Sequence, residues 1–470
     1  MSAPLPAPTV VRATQMPADT PHVPVVIVGS GACGLTAAIR LRELGVDCVL
    51  LERDALPSGS TALSSGLIPA AATRLQKSLG VTDSTELFAA DVTRKAHGQA
   101  APHLVTAYVE AAPQAIDMLE RLGVTFELQD GFLYPGHSAR RMHSVPEHTG
   151  AALLAAMGRI AGDNGADTLT EAVARELWLD AGDRVLGVGY VRPDGSREHI
   201  ACDALVLACN GFGGNTAMVN ELLPAMRGAA FGGHVGNDGS AIAWGQAMGA
   251  RLADLGGYQG HASWVTPQGA LMSWAVIMEG GVQINTEGRR FHDETQGYSE
   301  AAVYVLAQPG AIAWNVFDGP LLTLARTFPD FVEAEKAGAL RSASDEAALA
   351  ALIGCDPATL HTTLAAIAPD QVDGFGRRFK RALQAPFYAV KVTGALFHTQ
   401  GGLDIDAHCR VLRADGAPLP NLVAAGGAAR GVSGNEVWGY MSGNGLLSAV
   451  GGGWIAAGTV AQQLQQAAHA

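Results

Sequence analysis

The sequence predicts an α/β fold in which a parallel-sheet domain is split by an inserted α+β domain. Three observations lead to this prediction. The chain has 470 residues, whereas single hydrophobic cores stop growing near ~250–300 residues. A strand, a glycine-rich turn, a helix and a second strand follow one another between residues 23 and 52. Strand-like and helix-like segments that suit the same domain return after residue 420.

Residues 23–52 show the strand–helix–strand order that is typical of dinucleotide-binding domains. Residues 23–28 are mostly valine and isoleucine, as in a strand buried on both faces. The motif GSGACG at residues 29–34 leads into apolar residues at helical spacing over 35–44, and a second strand at 48–51 ends at Glu52. Such glycines let the backbone approach a pyrophosphate at a helix N-terminus, and such an acid can bind a ribose hydroxyl. The unit predicts a Rossmann-type domain.

Composition excludes several classes of partner. The 58 glycines exceed the average share of ~7% and favour nucleotide binding. The net charge of −13 opposes nucleic-acid binding, and no polybasic patch or long apolar run predicts membrane insertion. The six cysteines form no CxxC and lie mostly in apolar runs, which predicts reduced, buried thiols and no metal site. Residues 1–21 resemble no signal peptide, so we expect a flexible tail and a cytoplasmic protein.

The segment after Glu52 indicates a flavin nucleotide. Residues 57–66 read PSGSTALSSG, a small, hydroxyl-rich loop. This loop resembles the GGxTALSGG segment of the flavoproteins that include soluble fumarate reductases and 3-ketosteroid 1-dehydrogenases. The resemblance covers nearly the whole chain and implies FAD as the cofactor. Because the loop contains no histidine for a covalent flavin link, we expect non-covalent FAD.

Later segments follow the order of landmarks in that family. Residues 203–215 resemble its third-strand turn, residues 236–239 its next FAD loop, and residues 421–427 its last strand. A helix is predicted from about Ser442 to about Leu464, with its N-terminus directed at the flavin. The family usually has an acid where this chain has Gly427, so a ribityl contact is expected to be missing or made by the asparagine at the start of that helix. The candidate cofactor-binding residues are Gly29, Gly31, Ala32, Cys33, Gly34, Glu52, Arg53, Ser60, Thr61, Ser64, Ser65, Gly66, Val173, Ala208, Cys209, Gly211, Asn215, Asp238, Gly426, Asn444, Gly445 and Leu446.

The resulting domain organisation is a split FAD-binding domain with a cap. We expect residues 22–255 and 399–470 to form the FAD-binding domain and residues 256–398 to form an inserted cap over the flavin. The alanine-rich stretch 342–368 has helical periodicity and no residues suited to chemistry, so it is predicted to be scaffold.

Four residues are the candidates for catalysis, and the resemblance supplies their roles. His261, in YQGH, resembles the family's cap histidine, and His398, in FHTQGG, resembles the substrate histidine of the fumarate reductase pattern HHTMGG. Tyr298 stands at the last position of the stretch GKRFxNExxxR. Fumarate reductases have there the arginine that protonates the substrate. Tyr440 stands in place of the arginine of NRLGGN, which clamps a carboxylate in fumarate reductases. Tyrosines in these places are typical of 3-ketosteroid dehydrogenases.

These exchanges predict a ketone as the substrate. A dicarboxylate needs charged, planar donors, which arginine supplies and a neutral phenol does not. A phenol with a pKa of ~10 can donate to a ketone oxygen or, when ionised, accept an acidified α-proton. We therefore expect α,β-dehydrogenation of a ketone, or its reverse. In this mechanism Tyr440 polarises the carbonyl, Tyr298 moves the α-proton and flavin N5 takes the β-hydride. The substrate is expected to be a 3-ketosteroid or a smaller cyclic ketone, for which a carboxylate is one option.

Two alternatives stay open. One is a fumarate-type reductase of an unsaturated carboxylic acid that uses Arg289 or Arg290. The other is a flavin-bearing electron-transfer subunit, for which a partner would supply haem or iron–sulfur centres, because the chain has no spacing for them. The motifs predict a small-molecule substrate and leave the electron acceptor or donor open.

Overall fold

A computed structural model of the chain describes residues 5–129, 133–369 and 371–469. Its strands are β1 (Thr9–Arg12), β2 (His22–Val28), β3 (Cys48–Leu51), β4 (Ile68–Pro69), β5 (Glu127–Leu128), β6 (Met142–Ser144), β7 (Asp167–Leu169), β8 (Val173–Leu179), β9 (Val185–Val191), β10 (Arg197–Leu207), β11 (Ala230–Phe231), β12 (Leu252–Ala253), β13 (Tyr258–Val265), β14 (Ala270–Leu271), β15 (Val282–Asn285), β16 (Ala313–Asp318), β17 (Leu340–Ala343), β18 (Phe387–Thr399), β19 (Gly402–Leu403), β20 (Arg410–Leu412) and β21 (Pro418–Ala424).

The helices follow the same chain order. They are α1 (Ala32–Glu43), α2 (Gly59–Ala62), α3 (Arg74–Ser78), α4 (Thr85–Lys95), α5 (Pro102–Arg121), α6 (Gly150–Asp163), α7 (Thr216–Leu222), α8 (Ser240–Met248), α9 (Ala275–Met278), α10 (Tyr298–Leu306), α11 (Gly319–Ala325), α12 (Pro329–Lys336), α13 (Glu346–Ile353), α14 (Pro357–Ala365) and α15 (Asn444–His469). Single 3₁₀ turns occur at Pro224–Met226, Glu294–Gln296, Pro309–Ala311, Gly426–Ala428 and Val437–Gly439.

The chain divides into two compact units. The first unit contains Met1–Leu222, Gly233–Tyr258 and His398–Ala470, and the second contains Leu223–Gly232 and Gln259–Phe397. The short segment Leu223–Gly232, which we had expected in the FAD-binding domain, groups with the second unit because β11 pairs with β18 in parallel register.

The first unit is built on a large, mostly parallel sheet. Its strand order is β1-β8-β9-β10-β2-β3-β7, and β21 pairs with β10 in parallel while β20 pairs with β21. The central strand β2 is flanked in parallel by β3 and β10, and its residues Val25–Val28 are buried. Helices α1 and α15 pack against each other, and α5 packs against α15. This arrangement confirms the predicted α/β fold.

The N-terminal segment differs from the prediction of a flexible tail. Residues Thr9–Arg12 form β1, which pairs in parallel with β8 from Thr9 opposite Glu176 to Arg12 opposite Leu179. The two valines of β1 are partly buried, so a short β-branched run is enough to extend the sheet edge. The tail prediction was therefore wrong for these residues.

The second unit is built on a mixed sheet of its own. The strand order is β14-β13-β18-β16-β15, with β11 and β17 also paired to β18. Helices α13 and α14, from the alanine-rich stretch, pack their leucines into a core formed with β15, β16 and β18. In the described part of the chain, no helix has the length and apolar character that crossing a membrane requires.

Candidate functional site

The turn between β2 and α1 contains glycines that are needed for different reasons. Gly29 has a φ of +104°, and a Cβ there would lie 2.6 Å from the carbonyl oxygen of Ala208. A Cβ on Gly34 would overlap the Gly29 carbonyl oxygen, so α1 packs directly on the turn. Gly31 has an ordinary φ of −72°, and among the residues that the structure describes its Cβ would contact only Thr61 Oγ1, at 3.4 Å. The fold requires the first two glycines, whereas Gly31 keeps the start of α1 accessible to an anion.

Glu52 lies at the end of β3, next to this turn. Its carboxylate is buried and accepts hydrogen bonds from the Ser30 backbone N–H at 3.1 Å and from the Ser30 hydroxyl. The Asp54 backbone N–H donates to the other oxygen at 3.0 Å. The acid is thus fixed across the glycine turn, where the sequence predicted it.

The hydroxyl-rich loop after β3 holds the surrounding segments together. Thr61 Oγ1 accepts a hydrogen bond from the backbone N–H of Ala32, at 3.1 Å. Ser60 Oγ accepts from the side-chain amides of Asn210 at 3.0 Å and Asn237 at 2.9 Å. The loop therefore joins the helix start, the turn after β10 and the loop before α8.

Asp238 organises the loop before α8. Its carboxylate accepts hydrogen bonds from Arg175 Nη2 at 2.8 Å and from Ser240 Oγ at 2.6 Å, and its backbone carbonyl accepts from Asn215 Nδ2 at 3.0 Å. Arg53 Nη1 lies 3.7 Å from the same carboxylate. Burial raises the pKa of Asp238, but Ser240 and Arg175 outweigh burial and leave the pKa below its usual value. Asp238 and Asn215 therefore make protein contacts that shape this loop.

The structure explains the glycine at position 427. A Cβ on Gly427 would overlap Oδ1 of Asn210, a residue with a φ of +64° in the turn after β10. The side chain of Asn210 therefore occupies the space that an acid at position 427 would need. Gly426, with a φ of +60°, lies against Cys33, where its Cβ would be 3.2 Å from the cysteine Cβ.

The start of α15 carries polar atoms that lack a hydrogen-bond partner in the described part of the chain. Asn444 is fully buried and donates from Nδ2 to Ser433 Oγ at 2.9 Å. Its Oδ1 has no hydrogen-bond partner among the described residues, and neither has the buried Ser448 Oγ one turn further along the helix. Buried polar atoms are nearly always hydrogen-bonded, so both atoms indicate a bound group or water at this helix start.

His398 lies at the end of β18, close to this helix start. Its Nδ1 is 3.0 Å from the side-chain amide of Gln400 and 3.3 Å from the Thr399 carbonyl oxygen. A Cβ on Gly445 would lie 2.8 Å from His398 Nε2, and the ring meets that of Tyr440 edge-on at 5.6 Å. Burial lowers the pKa of His398 to about 4, which makes the imidazole neutral at pH 7. Tyr440 is itself buried, 6% exposed.

The second unit contains His261 and Tyr298 in an aromatic cluster. The two rings stack at 4.7 Å with an interplanar angle of 18°, and Trp274 and Phe397 meet His261 edge-on. The backbone N–H of Ser263 donates to His261 Nδ1 at 3.1 Å. Burial lowers the pKa of His261 to about 3, so this histidine is also neutral.

The remaining predicted cofactor residues all belong to the first unit. Their positions are the loop after β3, the start of β8, the turn after β10 and the first turn of α15. These residues are Ser64, Ser65, Gly66, Val173, Cys209, Gly211 and Leu446. The cysteines are free thiols, as predicted, and burial raises the pKa of Cys33 and of Cys209 to about 12.

The glycine turn, the fixed acid and the unpaired polar atoms on α15 together fit a dinucleotide whose ring system forms hydrogen bonds. A sequence profile of the FAD binding domain family matches residues 24–446. The chain belongs to this family. Its cofactor is FAD, and the chain is an FAD-dependent oxidoreductase, as the sequence predicted.

Curated relatives of this FAD binding domain chain include reductases and a dehydrogenase. An NADH:fumarate oxidoreductase of Klebsiella pneumoniae is 31% identical over 88% of this chain, which spans 45% of that relative. A probable fumarate reductase of Shewanella frigidimarina is 27% identical over 95% of this chain and 76% of the relative. A 4-oxocyclohexanecarboxylate 2-dehydrogenase of Sinomonas cyclohexanicum is 26% identical over 86% of this chain and 87% of the relative.

Solved structures support the fold assignment. A flavocytochrome c3 fumarate reductase in its open conformation has a TM-score of 0.81 and 26% identity, over 95% of this chain and 79% of that one. A 3-ketosteroid-Δ4-(5α)-dehydrogenase from Rhodococcus jostii RHA1 has a TM-score of 0.78 and 23% identity, over 96% and 99% of the two chains. The predicted resemblance to both groups of flavoproteins is confirmed.

Arg290 has a structural role within the second unit. Its Nε and Nη2 donate to Glu294 at 2.9 and 2.6 Å, and its Nη1 donates to Asp373. Arg377 Nη1 donates to the same Glu294 at 2.9 Å. Burial raises the pKa of Glu294, but the two guanidinium groups outweigh it and lower the pKa. Arg290 is therefore committed to protein acids, whereas the neighbouring Arg289 is exposed.

Sequence reasoning missed several polar residues around the helix start of α15. The hydroxyl and amide groups that surround Asn444 and His398 come from Gln400, Ser433 and Ser448. Only Gln400 gave a signal in the sequence, because it replaces the methionine of the HHTMGG pattern. The two serines are ordinary in their local sequence and gain meaning only from the fold.

Proposed function

We propose that this FAD binding domain chain catalyses α,β-dehydrogenation of a cyclic ketone, or the reverse reduction of the enone. One observation carries the proposal. Both candidate histidines are neutral, with pKa values of about 4 and about 3, and the two positions with family arginines hold Tyr440 and Tyr298. Neutral donors suit a ketone oxygen, whereas a dicarboxylate calls for fixed positive charge.

The commitment of Arg290 to Glu294 and Asp373 supports the same proposal. All three of its donor groups bind protein carboxylates, and its side chain is 5% exposed. Breaking such a buried ion pair costs about 3–5 kcal/mol, so a substrate carboxylate would have to replace that energy to recruit Arg290. We therefore assign Arg290 no role in binding a substrate carboxylate.

The cofactor would be held by residues of the first unit. In this assignment Gly31 and the start of α1 accommodate the pyrophosphate, Glu52 binds a ribose hydroxyl, and Asn444 and Ser448 hydrogen-bond the ring system. When bound, FAD accepts a hydride from the substrate β-carbon or returns one to it.

The proposed mechanism assigns one proton task to each tyrosine. Tyr440 donates its phenolic hydrogen to the carbonyl oxygen, a hydrogen bond that strengthens as enolate charge develops. Tyr298, ionised to the phenolate, takes the proton from the acidified α-carbon in the oxidative direction, and the neutral phenol returns it in the reductive direction. His398 and His261, each neutral with one N–H, bind a further polar group of the substrate.

The identity of that further group is proposed from one relative. The Sinomonas protein is named for a substrate that combines a ring ketone with a carboxylate. The aromatic cluster of His261, Tyr298, Trp274 and Phe397 offers apolar ring faces that suit a cyclic substrate. The ketone of such a substrate agrees with the neutral donors, and its six-membered ring agrees with the aromatic surface.

A second candidate function is reduction of an unsaturated carboxylic acid. It is favoured by the Klebsiella and Shewanella relatives, which are named as fumarate reductases. The chain spans 45% of the Klebsiella relative, which is named for NADH as its electron donor. In that case the histidines would have to bind a dianion without an arginine, which is the weakness of this candidate.

Anaerobic flavin titration separates the two candidates. The oxidised holoenzyme is mixed with saturated cyclic ketones, with and without a ring carboxylate, and the flavin absorbance is followed. The reduced enzyme is then mixed with the matching enones and with fumarate. Bleaching by a ketone and reoxidation by its enone are expected, whereas reoxidation by fumarate alone would overturn the proposal. Inactivity towards all these compounds, with a redox protein copurifying, would favour an electron-transfer subunit.

Single-atom variants test the two tyrosines. We expect Tyr298→Phe to lower the rate of flavin reduction by about 10²–10⁴-fold and Tyr440→Phe by about 10²–10³-fold, with FAD still bound. Tyr304→Phe is the matched control, because Tyr304 lies on the same helix as Tyr298 and is 39% exposed. Unchanged flavin reduction in either active-site variant would remove that tyrosine from the mechanism.

A further inference from the structure

Three buried residues of the first unit and the partly buried His398 form a continuous chain of hydrogen bonds. Asn444 Nδ2 donates to Ser433 Oγ at 2.9 Å, Ser433 Oγ donates to Gln400 Oε1 at 2.8 Å, and Gln400 Nε2 lies 3.0 Å from His398 Nδ1. We call these four residues the amide relay. Asn444, Ser433 and Gln400 are 0%, 1% and 4% exposed, so bulk solvent has little access to these contacts.

We propose that Gln400 fixes neutral His398 as the Nε2–H tautomer, so that this histidine presents a hydrogen-bond donor, and not an acceptor, to the substrate. This inference deepens the proposed function and rests on it in one respect, namely that His398 contacts the substrate. The tautomer itself is a property of the amide relay, whatever the enzyme acts on. Gln400 acts through His398 and is therefore a positioning residue.

The direction of the relay follows from the Asn444 amide, whose Nδ2 donates to the Ser433 hydroxyl. A hydroxyl has one hydrogen to donate, and Ser433 already accepts from Asn444. If the Gln400 amide were reversed by itself, Ser433 Oγ would face two N–H donors, and its own hydrogen would lose its acceptor. With Gln400 Oε1 facing Ser433, the amide nitrogen faces His398 Nδ1, which must offer a lone pair. The imidazole hydrogen is then on Nε2.

A second contact of His398 competes with this arrangement. The Thr399 carbonyl oxygen lies 3.3 Å from Nδ1 and would favour a hydrogen there. The Gln400 amide is closer, at 3.0 Å, and hydrogen bonds weaken with distance, so the amide decides the tautomer. Removing the amide leaves only the carbonyl, and the hydrogen should then move to Nδ1.

The Nε2 edge of the ring lies beside Gly445, in the first turn of α15. A Cβ at this position would be 2.8 Å from Nε2, so any larger residue would fill the space in front of the proposed donor. The fumarate reductase pattern HHTMGG has methionine where this chain has Gln400. Methionine cannot donate to Nδ1, which makes tautomer control a feature of this chain.

The direct test is nitrogen NMR of holoenzyme labelled with ¹⁵N-histidine at pH 7. A His398→Asn variant identifies the His398 signals among those of the 14 histidines. We expect a protonated Nε2 and an unprotonated Nδ1 in the wild type. Gln400→Met should exchange the two nitrogen types, because Thr399 becomes the partner of Nδ1. A wild-type Nδ1–H signal, or an unchanged tautomer in Gln400→Met, would overturn the inference.

A second variant keeps the test possible if Gln400→Met folds poorly. Gln400→Glu is isosteric, and its carboxylate can only accept, so His398 should carry a hydrogen on Nδ1 and its pKa should rise. Gln129→Glu is the matched control, because Gln129 Nε2 makes the same 3.0 Å contact with Nδ1 of His148 at the protein surface. This control should leave the His398 signals unchanged, and a change in them would overturn the assignment to the amide relay.

Kinetics give an independent readout once a substrate is known. Replacing a donor by an acceptor opposite a substrate oxygen should raise KM by about 10–100-fold in Gln400→Met, with a smaller effect on kcat. An unchanged KM with a switched tautomer would show that His398 does not contact the substrate. That result would count against the proposed role of His398, while the tautomer inference would stand. Failure of the ketone titration would likewise leave the NMR result intact.

Discussion

Alanine substitutions at two glycines of one motif are expected to have different effects. Gly29→Ala would force a residue with a Cβ to a φ of +104° and put that Cβ 2.6 Å from the Ala208 carbonyl oxygen. Backbone strain of this kind costs about 1–3 kcal/mol, and a contact about 0.7 Å too short adds an overpacking cost of about 1–3 kcal/mol. The free energy of unfolding should fall by about 2–6 kcal/mol, with or without FAD.

Gly31→Ala should leave the fold intact and weaken FAD binding. The residue has a φ of −72°, which alanine adopts freely, and its Cβ would contact Thr61 Oγ1 at an ordinary 3.4 Å. The new methyl group would occupy the approach of the pyrophosphate to α1, at a cost of about 1–3 kcal/mol, or about a 5–150-fold increase in Kd.

Denaturant unfolding of the FAD-free proteins and fluorescence titration with FAD measure the two quantities separately. Unchanged FAD affinity in Gly31→Ala would refute the assignment of the pyrophosphate to this turn. Normal stability of Gly29→Ala would refute the steric reasoning.

Three further predictions concern stability and cofactor affinity. Stability should fall as the pH drops from about 6.5 towards 4, because buried histidines stay neutral in the fold while the unfolded chain binds protons, each adding up to about 1.4 kcal/mol per pH unit. These histidines, with pKa values lowered to about 3–4, are His137, His143, His261 and His398. Urea unfolding that is flat over this pH range would contradict the burial of neutral imidazoles. Glu294→Gln should destabilise the chain by about 3–5 kcal/mol, since Arg290 and Arg377 lose their shared carboxylate, and a thermal melt that matches the wild type would contradict this ion-pair network. Gly427→Asp should weaken FAD binding because the new side chain overlaps Asn210, and adding Asn210→Gly should restore the affinity. If the effects of the two substitutions on the free energy of FAD binding are simply additive, the two positions are independent and the overlap is refuted.

The local motifs were predictable because their physics is local. A β-branched strand, a turn that needs glycine and a helix start are specified within about 30 residues, so the βαβ unit and Glu52 could be read directly from the chain. The long last helix was predictable for the same reason, although it extends to His469. The strand at Thr9–Arg12 was missed because a short run of four residues gains its stability only from pairing with β8.

The sequence by itself determined the fold class, the cofactor and the replacement of two family arginines by tyrosines. Only the tertiary structure decided which polar groups have partners. The commitment of Arg290 to Glu294, the unpaired Asn444 Oδ1 and the contact of Gln400 with His398 depend on residues far apart in the chain. Hydrogen bonds and burial set the charge and tautomer of a buried side chain, and both are properties of its neighbours in space.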